Sequence, residues 1–207
     1  VKVRFLVGAA MALSPLALML ACASKSSTDT TAVDAATDRG HLNAPIHPDA
    51  SCLVTIETPD LLPGTHVPVG SQITWSSNPP SSGPHYPVWA NFQEYDHPID
   101  LGYVVHDLEH GGIVLFYKCD DGAACDAIVA GLRQVRDAVP TDPKCDPSIR
   151  VRVTIVPDPQ LDVPVAAAAW GWTYKAACLD LPTLEDFAKT HYGQGTEDLC
   201  APGDSTL

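Results

Sequence analysis

Five consecutive apolar residues, Ile113-Val114-Leu115-Phe116-Tyr117, follow directly on a glycine pair, Gly111-Gly112. A strand sends alternate side chains to opposite faces, so an unbroken apolar strand has to be covered on both. This segment therefore requires a layered domain, with helices or loops packed on each side of a sheet. Immediately before it stands Val105-His106-Asp107-Leu108-Glu109-His110. A spacing of four puts His106 and His110 on one side in a helix and in a strand alike, whereas Glu109 joins them only in a helix. The chemical centre of the chain is expected here.

The beginning of the sequence bears on where such a domain would work. Lys2 and Arg4 precede an apolar and small-residue run from Phe5 to Ala21, which ends in Met19-Leu20-Ala21-Cys22. This is the anatomy of a secretory signal with a lipobox-like end, although Met19 stands where leucine is usual. Residues 1–21 are expected to be a lipoprotein signal peptide, with Cys22 lipidated and anchored to the envelope membrane. A plain transmembrane anchor is the alternative, and the run is near the lower limit for a span. Residues 22–50, rich in Ser, Thr, Ala and Asp, read as a flexible tether in which His41 and His47 are solvated. Residues 51–203 form a single globular domain, and 204–207 a short tail.

Without Lys2 and Arg4, the 12 basic residues fall to ten against 25 acidic ones, a formal charge near −15. Such a surface disfavours nucleic acid and anionic headgroups and mildly concentrates cations. Once Cys22 is set aside, six of the seven cysteines remain, an even count that in an exported domain points to disulfides. Cys119 and Cys125 flank a short turn and suit a local bridge, while Cys52 and Cys200 are placed to clamp the domain ends. No CxxC pair is present, so a thioredoxin-type motif and a zinc ribbon are not indicated.

From Cys52 to Tyr103 the chain carries eight prolines, with short strand candidates at Leu53–Glu57 and Gln72–Trp75. Proline fixes φ and removes amide donors, so the stretch ending in Pro84-His85 can present His85 on a stiff extended path. Ala124–Val139 has a helical stripe of Ile128, Leu132, Val135 and Val139, closed by Pro140. Arg150–Val156 alternates like a strand with one solvated face, and Val163–Thr173 reads as another strand. Thr183 and Asp186 approximate a capping box for a last helix that stops at Gly193. In that helix His191 is expected to be a packed residue. The expected class is α+β, a small mixed sheet in β-α-β-β-α order from residue 112, with helices packed on it and a proline-rich loop region before it.

The blocks Asn78-Pro79-Pro80-Ser81-Ser82-Gly83-Pro84-His85 and His106-Asp107-Leu108-Glu109-His110-Gly111-Gly112, with Trp89, Tyr95 and Trp170-Gly171, make the chain resemble a family of exported bacterial proteins known only as a domain of unknown function. The resemblance runs from about His66 to Gly193. It implies no activity, but its recurrent motifs contain the histidines already singled out.

A divalent transition-metal site is the first functional expectation. Imidazoles of His85, His106 and His110, with His66 from the Gly64-Thr65-His66 turn, suit Cu(II) or Zn(II). Both methionines, Met11 and Met19, lie in the signal and the remaining cysteines are expected to be oxidised, which disfavours Cu(I). The plain alternative is that His106 and His110 merely fasten the proline loop. A zinc-dependent hydrolase is a second possibility, because His106-Asp107-Leu108-Glu109-His110 fits an inverted zinc-protease motif with Glu109 as base. The glycine pair leaves little helix for that geometry, so His106–Gly112 is expected to be a short turn at a sheet edge, with Glu109 in a supporting role. A non-catalytic envelope lipoprotein that docks a partner through its tryptophans is the third. No phosphate loop and no nucleophile elbow occur.

Overall fold

A computed structural model describes residues 52–120 and 122–207. The segments expected to be a signal peptide, a lipidated Cys22 and a tether lie outside the described residues. Ten elements follow in order: β1 (Val54–Glu57), β2 (Thr65–His66), β3 (Pro84–His85), α1 (Leu101–Glu109), β4 (Ile113–Tyr117), α2 (Ala123–Ala138), β5 (Val153–Pro157), β6 (Val165–Ala169), β7 (Trp172–Ala176) and α3 (Leu181–His191). The five-stranded mixed sheet has the order β1-β7-β6-β4-β5, while β2 and β3 form a separate parallel pair. Only β4 and β5 run parallel in the large sheet, joined across α2.

The strand β4 is covered on both faces, as its composition requires. Ile113 and Leu115 join a core with Leu132 and Val135 of α2 and with Leu184 and Phe187 of α3. Val114 and Phe116 face the other way, against Val104, Val105 and Leu108 of α1. From residue 112 the order is β-α-β-β-β-α, one strand more than expected. The alanine-rich stretch read as one strand is a hairpin, because Gly171 adopts φ +79° and turns the chain between β6 and β7. After β5 the chain also passes over its neighbour: β6 pairs antiparallel with β4, where it is buried along its whole length. Gln72–Trp75 forms no strand.

Two further corrections concern local chemistry. The expected solvated face of β5 is buried; Thr154 is satisfied there by donating to Asp107 Oδ2 at 2.6 Å. The cap of α3 is Asp180, whose carboxylate accepts from the Thr183 backbone amide, and Gly193 follows the helix at φ +73°.

Three disulfides join Cys52–Cys178, Cys119–Cys125 and Cys145–Cys200. The local bridge is as expected, but Cys52 does not reach Cys200. It precedes β1, which pairs with β7, and the end of β7 brings Cys178 to it. Such bonds are the chemistry of an oxidising, exported compartment. Among the described residues no helix is long and apolar enough to cross a membrane.

Candidate metal centre

His106–Gly112 is not a turn at a sheet edge. Residues 106–109 are the last turn of α1, a nine-residue helix capped by Asp100, His110 is its C-cap, and the glycine pair follows. The helix puts His106 and Glu109, three residues apart, on one face. The small parallel pair supplies two more side chains there: β2 and β3 are registered with His66 opposite His85. The backbone joins these parts, since Val67 N donates to His85 O at 2.8 Å and Tyr86 N to Gly102 O at 3.0 Å. Gly83 takes φ +116° just before β3, which turns the stiff loop inward at a position a side chain would strain.

Three imidazoles meet as a result. Ring centroids are 5.0 Å apart for His66 and His85, 4.9 Å for His66 and His106, and 4.6 Å for His85 and His106. One donor atom from each of His66, His85, His106 and Glu109 lies within 4.8 Å of all the others. His85 and His106 are buried, Glu109 nearly so, and His66 is exposed, so the group has a wet side and a dry side.

Two ring orientations are held by main-chain carbonyls. His85 Nδ1 lies 2.9 Å from Gly83 O, and His106 Nδ1 lies 2.7 Å from Tyr86 O. A carbonyl only accepts, so each Nδ1 carries a proton, and Nε2 is the ring atom left to face the group. Burial, with the neighbouring rings, pushes the His106 imidazole down to about 4, so it is neutral at physiological pH. His85 Nε2 approaches Glu109 Oε2 to 2.9 Å but makes no aligned hydrogen bond. A buried ring nitrogen and a carboxylate oxygen at this distance need a positive charge between them, which a proton or a metal ion supplies. Fixed tautomers with backbone partners are also the usual support of metal-bound histidine.

Of the four histidines expected as ligands, His66, His85 and His106 come together, and His110 sits beside them. Its ring packs between His106, at 4.5 Å, and Trp89, at 4.6 Å, with Nε2 3.3 Å from Glu197 Oε2. Glu109, expected in a supporting role, takes the fourth place in the group. The helix accounts for this exchange, because an extended turn would have pointed Glu109 away. Gly64 completes the fit: a Cβ there would come within 2.1 Å of Glu109 Oε1. His191 stacks on Trp172 with ring centroids 4.4 Å apart, as a packed helix residue. Glu197 and Thr196, which reach the site from the far end of the chain, had no local signal in the sequence.

Asp107, between the site residues in sequence, faces β5. It is fully buried, and burial holds its carboxyl well above the usual carboxylate range. A cavity of about 500 Å³ lined by Pro98, Tyr117, Pro157 and Pro164 shares no residue with the histidine group.

No curated protein and no solved structure matches the chain. One family model does, over residues 66–203, a span that opens on His66 and takes in His85, His106 and Glu109. The chain belongs to that family, described as a protein of unknown function, DUF3105.

Proposed function

We propose that this protein is an exported, lipid-anchored component of the bacterial envelope that holds one divalent transition ion, Cu(II) or Zn(II), through His66, His85, His106 and Glu109. The observation that carries this is the convergence of three imidazoles and one carboxylate, with one donor atom from each within 4.8 Å of the others, His85 and His106 buried and His66 exposed. A tetrahedral ion with bonds near 2.0–2.1 Å separates its donors by about 3.3 Å, so modest side-chain movement closes the group around it. Nitrogen and carboxylate donors without thiolate suit Cu(II) and Zn(II) and disfavour Cu(I). Cys22 would supply the lipid anchor, and the three disulfides fit the same compartment.

Hydrolysis on the inverted motif would need His106 and His110 as ligands with Glu109 left free as base. Glu109 beside His85 and His110 beside Glu197 favour holding an ion over turning over a substrate.

Elemental analysis of protein purified without a histidine tag, followed by Cu(II) and Zn(II) titration, tests the proposal. One ion per chain is expected, lost in His106→Ala. Free ion at 100 times Kd should raise stability by about 2.7 kcal/mol. Absence of stoichiometric metal, with no thermal shift on adding either ion, overturns it.

A further inference from the structure

The C-terminal segment that follows α3 does not leave the domain. Gly193 N donates to Gly111 O at 2.9 Å, and Glu197 N donates to Glu109 O at 2.8 Å. Gly195 lies so close to the end of α1 that a Cβ on it would come within 2.1 Å of Glu109 O and 2.2 Å of Gly111 N. Arg152, buried, donates to His110 O at 2.7 Å and to Asp198 Oδ1 at 2.8 Å, tying the segment to the same helix end. Beyond Asp198 the Cys145–Cys200 disulfide secures the segment. Past that bond, Trp89 Nε1 donates to Ala201 O at 3.1 Å and Asp204 N donates to Trp89 O at 2.8 Å. The strap from Gly193 to Asp204 thus touches both α1, which carries two of the four donors, and the tryptophan packed on His106.

One side chain of this strap reaches a donor. Thr196 Oγ1 donates to Glu109 Oε1 at 3.4 Å, while Glu109 Oε2 faces His85. The two carboxylate oxygens therefore have different neighbours. We infer that the strap is the back wall of the metal centre and that Thr196 is a positioning residue, presenting Glu109 to the ion through Oε2 alone. The inference rests on the metal-binding proposal above. Hydrogen bonds to a ligating carboxylate are worth about 10–100-fold in metal affinity.

The test compares Thr196→Val with Thr196→Ser in the full chain. Thr196 is exposed, so both variants should fold, which matched apo melting curves verify. Thr196→Val should bind Cu(II) and Zn(II) about tenfold more weakly and alter the Cu(II) electron paramagnetic resonance spectrum, with Thr196→Ser restoring both. A second variant, Cys145→Ser with Cys200→Ser, unpins the strap and should raise the rate of metal release at unchanged stoichiometry. Wild-type protein that binds no metal overturns the binding proposal and this inference together. Normal metal binding by wild type, with unchanged affinity and spectrum in Thr196→Val and unchanged release from the unpinned strap, overturns the inference alone.

Discussion

The two faces of the large sheet bury side chains to different ends. On the α2/α3 face, Leu132, Val135, Leu184, Phe187 and Ala188 pack against the inward residues of five strands. Tyr174 OH and Thr183 Oγ1 are paired there at 2.9 Å, while His191 Nδ1 on α3 has no hydrogen-bond partner. On the α1 face the apolar contacts of Val104, Val105 and Leu108 share one short helix with His106, Asp107, Glu109 and His110, all buried. Here His85 Nε2, Asp107 Oδ1 and His110 Nδ1 lack protein hydrogen-bond partners. Buried polar atoms are almost always paired, because an unpaired one costs about 1–3 kcal/mol. Two of these three atoms belong to Asp107 and His110, at the end of α1, and the third to His85 of β3, which packs against it. One face holds the domain together, and the other carries its chemistry.

The largest effect expected is on the first face. Phe187→Ala removes a ring buried between α3 and Tyr174 and should destabilise the protein by about 3–5 kcal/mol. Under conditions where the variant remains folded, its affinity for Zn(II) should equal that of wild type. Urea unfolding and metal titration measure the two quantities on one sample. A parallel fall in affinity would mean that the faces are coupled, and the comparison would fail.

A smaller effect is expected from the opposite substitution type. In Gly64→Ala the new methyl would meet Glu109 Oε1 at 2.1 Å and the Trp170 ring at 3.3 Å. The far end of Glu109 can swing away, so the fold survives while the carboxylate leaves its place beside His85. Metal affinity should drop about tenfold, equivalent to about 1.4 kcal/mol, with little change in apo stability. Isothermal titration calorimetry and thermal melts separate these. A loss of stability with affinity intact would make Gly64 a packing residue only.

Much of the first face was legible in the sequence, and less of the second. The continuous apolar run of β4 and the stripe of Ile128, Leu132 and Val135 report burial through local periodicity alone. The β6–β7 hairpin was hidden because five consecutive buried positions, Val165–Ala169, leave no polar break before Trp170-Gly171. Strand partners are set by tertiary pairing, so the position of Cys52 at the domain's start does not reveal Cys178 as its partner. At the site, spacing and residue type pointed to His85, His106 and His66. The helical state of residues 101–109 was obscured by the glycine pair behind it, and with it the place of Glu109. What sets His110 apart, Trp89 on one side and Glu197 on the other, comes from distant parts of the chain.

The subtlest contrast lies within α1, between two adjacent residues whose charges respond to burial in opposite senses. Burial lowers His106 from 6.5 to about 4, so its contribution to stability is intact above 6.5 and is lost as pH falls toward 4. Burial raises Asp107 well above 3.8, so its contribution is intact below that value and is lost as pH rises toward the raised one. In the window between about 4 and 6.5 the two slopes oppose each other, so Asp107 flattens the rise in stability that His106, together with His110 and His191, both also lowered by burial, gives the metal-free protein. Asp107→Asn keeps an oxygen for the Thr154 hydroxyl and cannot ionise. The variant should be more stable than wild type near neutral pH, and its stability should climb steadily from pH 4 to 6.5 as the histidine slope stands alone. Urea midpoints taken across that range decide it. A profile unchanged by the substitution would show that Asp107 is already ionised in the fold, and the α1 face would then hold a buried charge supported by the Thr154 hydroxyl and the Ala90 backbone.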